Sequence, residues 1–181
     1  MRRRRAQHIA SEDLRKEDPS QQDDSLPPVH WYQVKVRREF FMTIRKATVA
    51  DADSLYILNQ LFGNTTTVDD IKQSLIENHC EIVSIAFVDN KPVAFCSGII
   101  IQSFCYRSPR MDIEALYVRD EFRKQGVGRA LLRCLEKEAR ILGIHHFHIL
   151  THALNVSGQA LYEKCGYAKT GEVLFEKTVV E

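Results

Sequence analysis

Between a run of apolar residues and a long amphipathic stretch the sequence reads Arg123-Lys124-Gln125-Gly126-Val127-Gly128-Arg129. Two glycines one residue apart, flanked by cations, suit an anion that carries several oxygens. The first N–H groups of a helix lack intrahelical acceptors and sit at the positive end of its dipole. A helix that starts here can therefore hold a phosphate or diphosphate on its main chain. A side chain at Gly126 or Gly128 would keep such a ligand away from those amides. Two common phosphate patterns do not apply. Leu131 stands where G-x-G-x-x-G needs its third glycine, and no Gly-Lys-Ser/Thr completes a P-loop.

Other residues could move protons. Asp112 and Glu114 precede the basic turn at alternate positions, so in an extended chain both carboxylates point to one side. Such groups can take up or release a proton. The histidines His145, His146 and His148 lack a supporting carboxylate or cysteine cluster, and alternation would split His145 from His146 across a sheet. They read as surface or sheet-edge residues, and no metal site is expected. Cys80, Cys96, Cys105, Cys134 and Cys165 are odd in number and form no C-x-x-C pair. They read as reduced, mostly buried thiols of a cytoplasmic protein.

These residues need elements to position them. Ile113 to Val118 is an apolar, β-branched run, read as a strand that feeds the glycine turn. Val127, Leu131, Leu135, Ala139 and Leu142 then recur at three-to-four spacing, with Arg129, Arg133, Glu136, Lys137 and Arg140 on the other face, until Gly143 ends the helix. Upstream, a strand from Met42 leads to Thr48, which caps a helix containing Leu55, Leu58 and Phe62. Thr67 caps a second helix, with Ile71, Leu75 and Ile76 inward. Residues 81–88 and 93–101 form a hairpin around Asp89-Asn90-Lys91-Pro92. Downstream come a strand over 144–151, a short helix capped by Asn155, and a closing pair of strands over 168–170 and 173–179. Strands interleaved with helices give one α/β domain with a mixed sheet.

Length and composition set bounds. The 181 residues suit one domain with a tail, and 44% hydrophobic against 27% charged residues is ordinary for a soluble chain. A net charge of +1 advertises neither nucleic acid nor membrane as a partner, and no apolar run is long enough to span a bilayer. Residues 1–41 differ from the rest. The run Arg2 to Arg5 is followed by a stretch rich in Ser, Asp, Glu and Gln, read as a disordered or loosely attached extension before a domain over 42–181. Within it, His30 to Val36 alternates and could form a short strand or arm.

The pattern Arg123-x-x-Gly126-x-Gly128 after Leu116-Tyr117-Val118 resembles the acyl-CoA signature of the GNAT superfamily of N-acetyltransferases. A second block is similar too: Asn155, then Ala160-Leu161-Tyr162, then Gly166-Tyr167. Gly158 departs from the alanine frequent in that family. The resemblance covers roughly the second half of the chain. It implies a mostly antiparallel sheet with helices on both faces and a splay between its central strands. It also implies acetyl-CoA as cosubstrate and direct transfer of acetyl to a primary amine of a small molecule or peptide. Leu116, Tyr117, Val118, Arg123, Lys124, Gln125, Gly126, Val127, Gly128, Arg129 and Asn155 would then hold the cofactor. Tyr162 would protonate the leaving thiolate. Glu114 would be the base, directly or through water, with Asp112 in reserve, although Glu114 also fits a structural carboxylate or substrate anchor. A homodimer is compatible with this reading. The alternative is a CoA-binding sensor without turnover.

Overall fold

The computed structural model describes residues 32–37 and 40–179. The basic run and the rest of residues 1–31 lie outside the described residues. Strand β1 (Tyr32–Arg37), close to the expected His30–Val36, pairs antiparallel with β2 (Phe40–Lys46), so the sheet begins upstream of Met42. A single 3-10 turn at Val49–Asp51 follows Thr48, and helix α1 (Ala52–Phe62) ends at Gly63 in the left-handed conformation. Helix α2 (Val68–Glu77) is capped by Thr67 as expected, and Asp70 completes a capping box with it.

Strands β3 (Glu81–Val88) and β4 (Lys91–Ile101) meet at Asp89 and Asn90, both with φ near +50° to +60°. That is the two-residue turn whose twist matches a hairpin. Strand β5 (Arg110–Val118) pairs with β4, helix α3 (Val127–Ile141) crosses over, and β6 (Phe147–Ile149) returns parallel to β5. Helix α4 (Val156–Lys164) follows. The sheet order is β1-β2-β3-β4-β5-β6, antiparallel except for its last pair.

Two cores flank the sheet. On one face α3 buries Val127, Leu131, Leu132, Cys134, Leu135 and Ala139 against Met42, Ile44, Ala86, Cys96 and Met111, with Leu161 and Tyr162 of α4 at the margin. On the other, Leu55 and Leu58 of α1 pack on Ile85 and Phe95, joined by Ile71 and Leu75 of α2. Helices on both faces of a mostly antiparallel sheet are the architecture the sequence implied.

Four expectations are corrected. Leu142 lies beyond the end of α3 and is exposed, and Ile76 points to solvent because α2 touches the core only through Ile71 and Leu75. The strand expected over 144–151 is cut to Phe147–Ile149. The closing pair over 168–170 and 173–179 is absent: this segment has no ladder partner, and Val173, Leu174 and Phe175 are exposed. Apolar alternation forms a strand only where an edge is offered, and the short β6 offers little.

A buried ion pair ties β2 to the start of α1. Arg45 donates to both carboxylate oxygens of Asp51, at 2.5 and 2.6 Å, and the Thr48 N–H donates to the same carboxylate at 2.8 Å. Burial pushes the Asp51 carboxyl up, but these bonds outweigh it and hold the group below the usual carboxylate value. A depressed carboxyl adds stability above the unfolded pKa, lost as pH falls through the folded one. Arg45→Met is therefore expected to destabilise the fold by about 3–5 kcal/mol at pH 7, because it strands a buried charge. Urea denaturation should show the deficit shrinking toward pH 3. An equal deficit at both pH values would contradict this account.

Candidate active site

β5 and β6 pair only at Met111↔Phe147, Asp112↔His148 and Ile113↔Ile149, while β5 continues to Val118. Beyond Ile113 the two strands part, and among the described residues no strand covers that edge of residues 114–118. Opposite, β4 stays paired with β5 throughout, but its register shifts: Gly98 faces Ile113 and Ser97 faces Ala115. Glu114 is the extra residue of a β-bulge.

The bulge reverses the parity of the strand. The Met111 N–H donates to His146 on the β6 side, whereas the Arg119 N–H donates to Val93 on the β4 side. Alternation counted back from Arg119 turns the Leu116 and Val118 amides to the open edge. Without the extra residue, the count from Met111 would send Ala115 and Tyr117 there instead. The side chains agree: Met111, Ile113, Leu116 and Val118 lie in the α3 core, Ala115 and Tyr117 in the α1 core. Gly98, opposite the bulge, makes room for Met111, whose Sδ would stand 2.8 Å from an added Cβ.

The turn into α3 lies beside this edge. Lys124 and Gly126 both adopt positive φ, +56° and +87°. The first helical amide to find a carbonyl is that of Ala130, bonded to Gly126 at 3.0 Å. The N–H groups of Gln125 to Arg129 have no protein acceptor among the described residues. The two glycines serve different ends. An added Cβ at Gly126 would meet nothing, so its demand is conformational. At Gly128 it would stand 3.0 Å from Leu161, 3.7 Å from Leu116 and 3.8 Å from Val118. Gly128 thus lets α3, α4 and β5 converge, a packing role that clearance for a ligand had not suggested.

The cations of the turn are partly engaged within it. Arg123 donates to the Val118 carbonyl at 2.9 Å and pairs with Asp120 at 2.8 Å. Gln125 donates to the Glu121 carbonyl at 2.7 Å, and the Arg129 side chain reaches the Cys165 thiol. Lys124 is exposed.

Tyr162 stands on the α3 side of the sheet, half-buried. Burial, with a smaller push from neighbouring Cys96, raises its phenol above the usual value, and a hydrogen bond with Thr151 offsets part of that rise. Thr151 accepts from Asn155 Nδ2 at 3.0 Å, while Asn155 Oδ1 accepts from the Gly158 N–H at 3.0 Å. The result is a chain Asn155, Thr151, Tyr162 that ties the phenol to the cap of α4. Sequence reasoning missed Thr151, since a lone threonine after a strand carries no signal until Tyr162 is seen beside it.

On the opposite face Glu114 is exposed. Asp112 is not a free carboxylate, because Arg110 binds both its oxygens at 2.9 and 3.3 Å. A cavity of about 260 Å³ lies elsewhere, lined in part by Ser74, Leu75, Asn78 and Leu142 at the far end of α3. At 1.5 Å per residue that is roughly 20 Å from the glycine turn. The open fork is the better site for a long flexible ligand.

Gly158 also has a reason. A Cβ there would fall 2.8 Å from Asn155 Cγ, so the carboxamide that caps α4 occupies the space. Gly158→Ala should gain about 0.5–1 kcal/mol of helix propensity and lose a cap of about 1 kcal/mol. The expected outcome is no net stabilisation; a clear rise in Tm would contradict it. Gly128→Val should cost about 1–3 kcal/mol through overpacking against Leu161, read as a lower denaturation midpoint.

A sequence model of the acetyltransferase (GNAT) family matches residues 50–167. The chain is 28% identical over 110 residues to human N-acetyltransferase 8, covering 61% of this chain and 48% of that protein. It is 27% identical over 146 residues to the aminoglycoside N(6')-acetyltransferase type 1 of Stenotrophomonas maltophilia, covering 77% and 94% of the two chains. Among solved structures, AAC(6')-Iy in complex with a bisubstrate analogue, CoA-S-monomethyl-acetylneamine, superposes with a TM-score of 0.68 at 19% identity over 77% of this chain and 99% of that one. The chain spans about half the length of the human relative. With the forked sheet and the glycine turn already in view, the family match leads to one conclusion: this chain belongs to the GNAT acetyltransferase family.

Proposed function

We infer that the protein transfers acetyl from acetyl-CoA directly to a primary amine of a small molecule or peptide. The observation that carries this reading is the fork. An open β-strand edge runs into the free amides that begin α3, and a protonated tyrosine lies behind it. The diphosphate of the cofactor sits on the N–H groups of Gln125 to Arg129, with Lys124 and Arg123 adding charge at the rim. The pantetheine arm, which carries amides of its own, pairs with the main chain of Leu116 and Val118. With Arg123 on the Val118 carbonyl, the amides of Leu116 and Val118 are the donors left to it. The Leu116 N–H faces the thioester oxygen and stabilises the oxyanion that develops there.

A lysine-like amine is protonated near neutral pH, so a proton leaves before attack. Glu114, exposed at the bulge, takes it directly or through water; Asp112, held by Arg110, serves as an anchor. Nitrogen then attacks the acetyl carbonyl, the C–S bond breaks, and Tyr162 protonates the thiolate. Asn155 contacts the cofactor and caps α4 at once. No thiol acts as an acyl carrier: burial holds the Cys96 thiol far above its ordinary pKa, so it supplies no nucleophile.

The acceptor lies against the α1–α2 connection, the hairpin loop 102–109 and the C-terminal tail, which here replaces the expected closing strands. The similarity to an aminoglycoside acetyltransferase supports a cationic amine. The described cysteines are free thiols, which suits the reducing cytoplasm, and no helix among the described residues is long and apolar enough to cross a membrane. A homodimer would give the exposed Val173, Leu174 and Phe175 a partner.

Release of CoA thiol with kanamycin A, spermidine, an alanine-led hexapeptide and free amino acids tests the reading. Tyr162→Phe is expected to lower kcat by about 100-fold with little change in CoA affinity. Because its phenol is raised, the alkaline limb assigned to Tyr162 falls above pH 10 in the parent protein. Gly126→Asp, whose side chain tolerates positive φ, should weaken CoA binding at least about tenfold by calorimetry while the fold persists. An unchanged rate in Tyr162→Phe removes the acid assignment, and full-strength CoA binding by Gly126→Asp removes the diphosphate site.

A further inference from the structure

Phe147 and Ile149 turn to the α3 core, so His148 of β6 and His146 just before it lie on the other side, and their rings meet. His148 Nε2 lies 3.0 Å from His146 Nε2, with the rings edge-on at a centroid distance of 4.7 Å. Two imidazole nitrogens this close share one proton, one ring donating and the other accepting. On its other side His148 Nδ1 stands 3.7 Å from Asp112 Oδ1. That exceeds a hydrogen bond, because Arg110 has claimed both oxygens of the carboxylate. Asp112 is thus near enough to stabilise positive charge on the ring without fixing a proton at Nδ1. His148 is registered opposite Asp112, one residue before the strands part at Ile113 and Ile149. Glu114 follows Asp112 by two residues, about 7 Å along an extended strand, and is exposed, so water has access between its carboxylate and the imidazole.

We propose that His148 and His146 form a proton wire from the fork to solvent. The proposal rests on the acetyltransferase reading above and adds two residues to it. The ammonium N–H bond of the acceptor breaks and its electron pair stays on nitrogen. Through Glu114 or its water, the proton bonds to Nδ1 of His148. The proton on His148 Nε2 passes to His146 Nε2, and His146 releases its Nδ1 proton to water. One proton enters, one leaves, and exchange with solvent restores the first tautomers. The charged and titratable groups around the wire are Arg110, Asp112 and Glu114 on β5, with Tyr106 of the hairpin loop and Glu172 of the tail acting on Arg110. The wire removes the proton to the side of the sheet away from Tyr162, so the acid and base halves of the reaction do not short-circuit.

The test uses the full chain with acetyl-CoA and kanamycin A. His148→Gln and His146→Gln are each expected to lower kcat by about tenfold or more while KM for acetyl-CoA stays constant. The double variant should be no slower than the worse single one, since the two act as a unit. The acid limb of the kcat/KM profile should be displaced in His148→Gln, and added imidazole should restore part of the rate of His148→Gly, which a packing role would not allow. Wild-type kcat and pH profile in His148→Gln would overturn the proposal. Long-range proton–nitrogen NMR provides a readout without any acceptor. The wire requires His148 protonated on Nε2 at rest, and a resting Nδ1–H tautomer overturns it. If the wild type acetylates none of the amines tested, the acetyltransferase reading fails, while the tautomer spectra still decide the wire.

Discussion

The direction in which the β5 main chain points its amides governs the rest of this molecule. A strand has one row of donors and acceptors on each side, and a single inserted residue exchanges the rows downstream of it. Here Glu114 is that residue. Past it, Leu116 and Val118 address the side on which β6 has already left. A buried edge with unsatisfied amides is costly, and an exposed one invites another chain to pair with it. The edge is kept short, ends in a turn stabilised by Arg123 on the Val118 carbonyl, and is overlooked by α4. These features suit a ligand with amides of its own better than a second protein strand.

That geometry imposes demands elsewhere. For α3 to begin beside the open edge, its first turn must lie within van der Waals distance of β5 and α4 together, a close approach that a glycine at 128 eases. Where the register shifts, the Met111 side chain lies over Gly98, whose missing side chain leaves room for it. The crossing helix then needs an unusually wide buried face. Leu132 and Cys134 join the simple stripe because α3 lies over the middle of the sheet and not along its edge. Tyr167, whose hydroxyl donates to Glu136 at 2.8 Å, fastens the end of α4 back onto the same helix.

Much of this was legible in the sequence, and what was missed has physical causes. The capping residues Thr67 and Asn155, the Asp89-Asn90 turn and the core stripe of α3 are local, so residue chemistry reveals them. The glycine turn before α3 is equally local. The bulge is not, because whether β5 slips against β4 depends on a partner strand that the local pattern does not contain. The closing strands were misread for the same reason. Val173 to Val179 has the composition of a strand, but pairing needs an edge, and β6 is only three residues long. Alternation puts Asp112 on the same side as Glu114, but its ion pair with Arg110, two residues away on the same face, is not part of that pattern. The pairing of His146 with His148 was implicit in that alternation; their hydrogen bond and the nearby Asp112 were not.

The Gly158 position shows how a sequence departure can be a requirement. Judged by helix propensity alone, glycine inside α4 is a flaw of up to about 1 kcal/mol. Its missing Cβ is filled by the Asn155 carboxamide, which at once accepts the Gly158 N–H and donates to Thr151. Thr151 in turn stands against the Tyr162 hydroxyl. One carboxamide therefore joins the start of α4 to the residue beside the phenol, and it can do so only where position 158 leaves it room. The loosened helix is thus the condition for this connection. An alanine would repair the propensity and displace the cap.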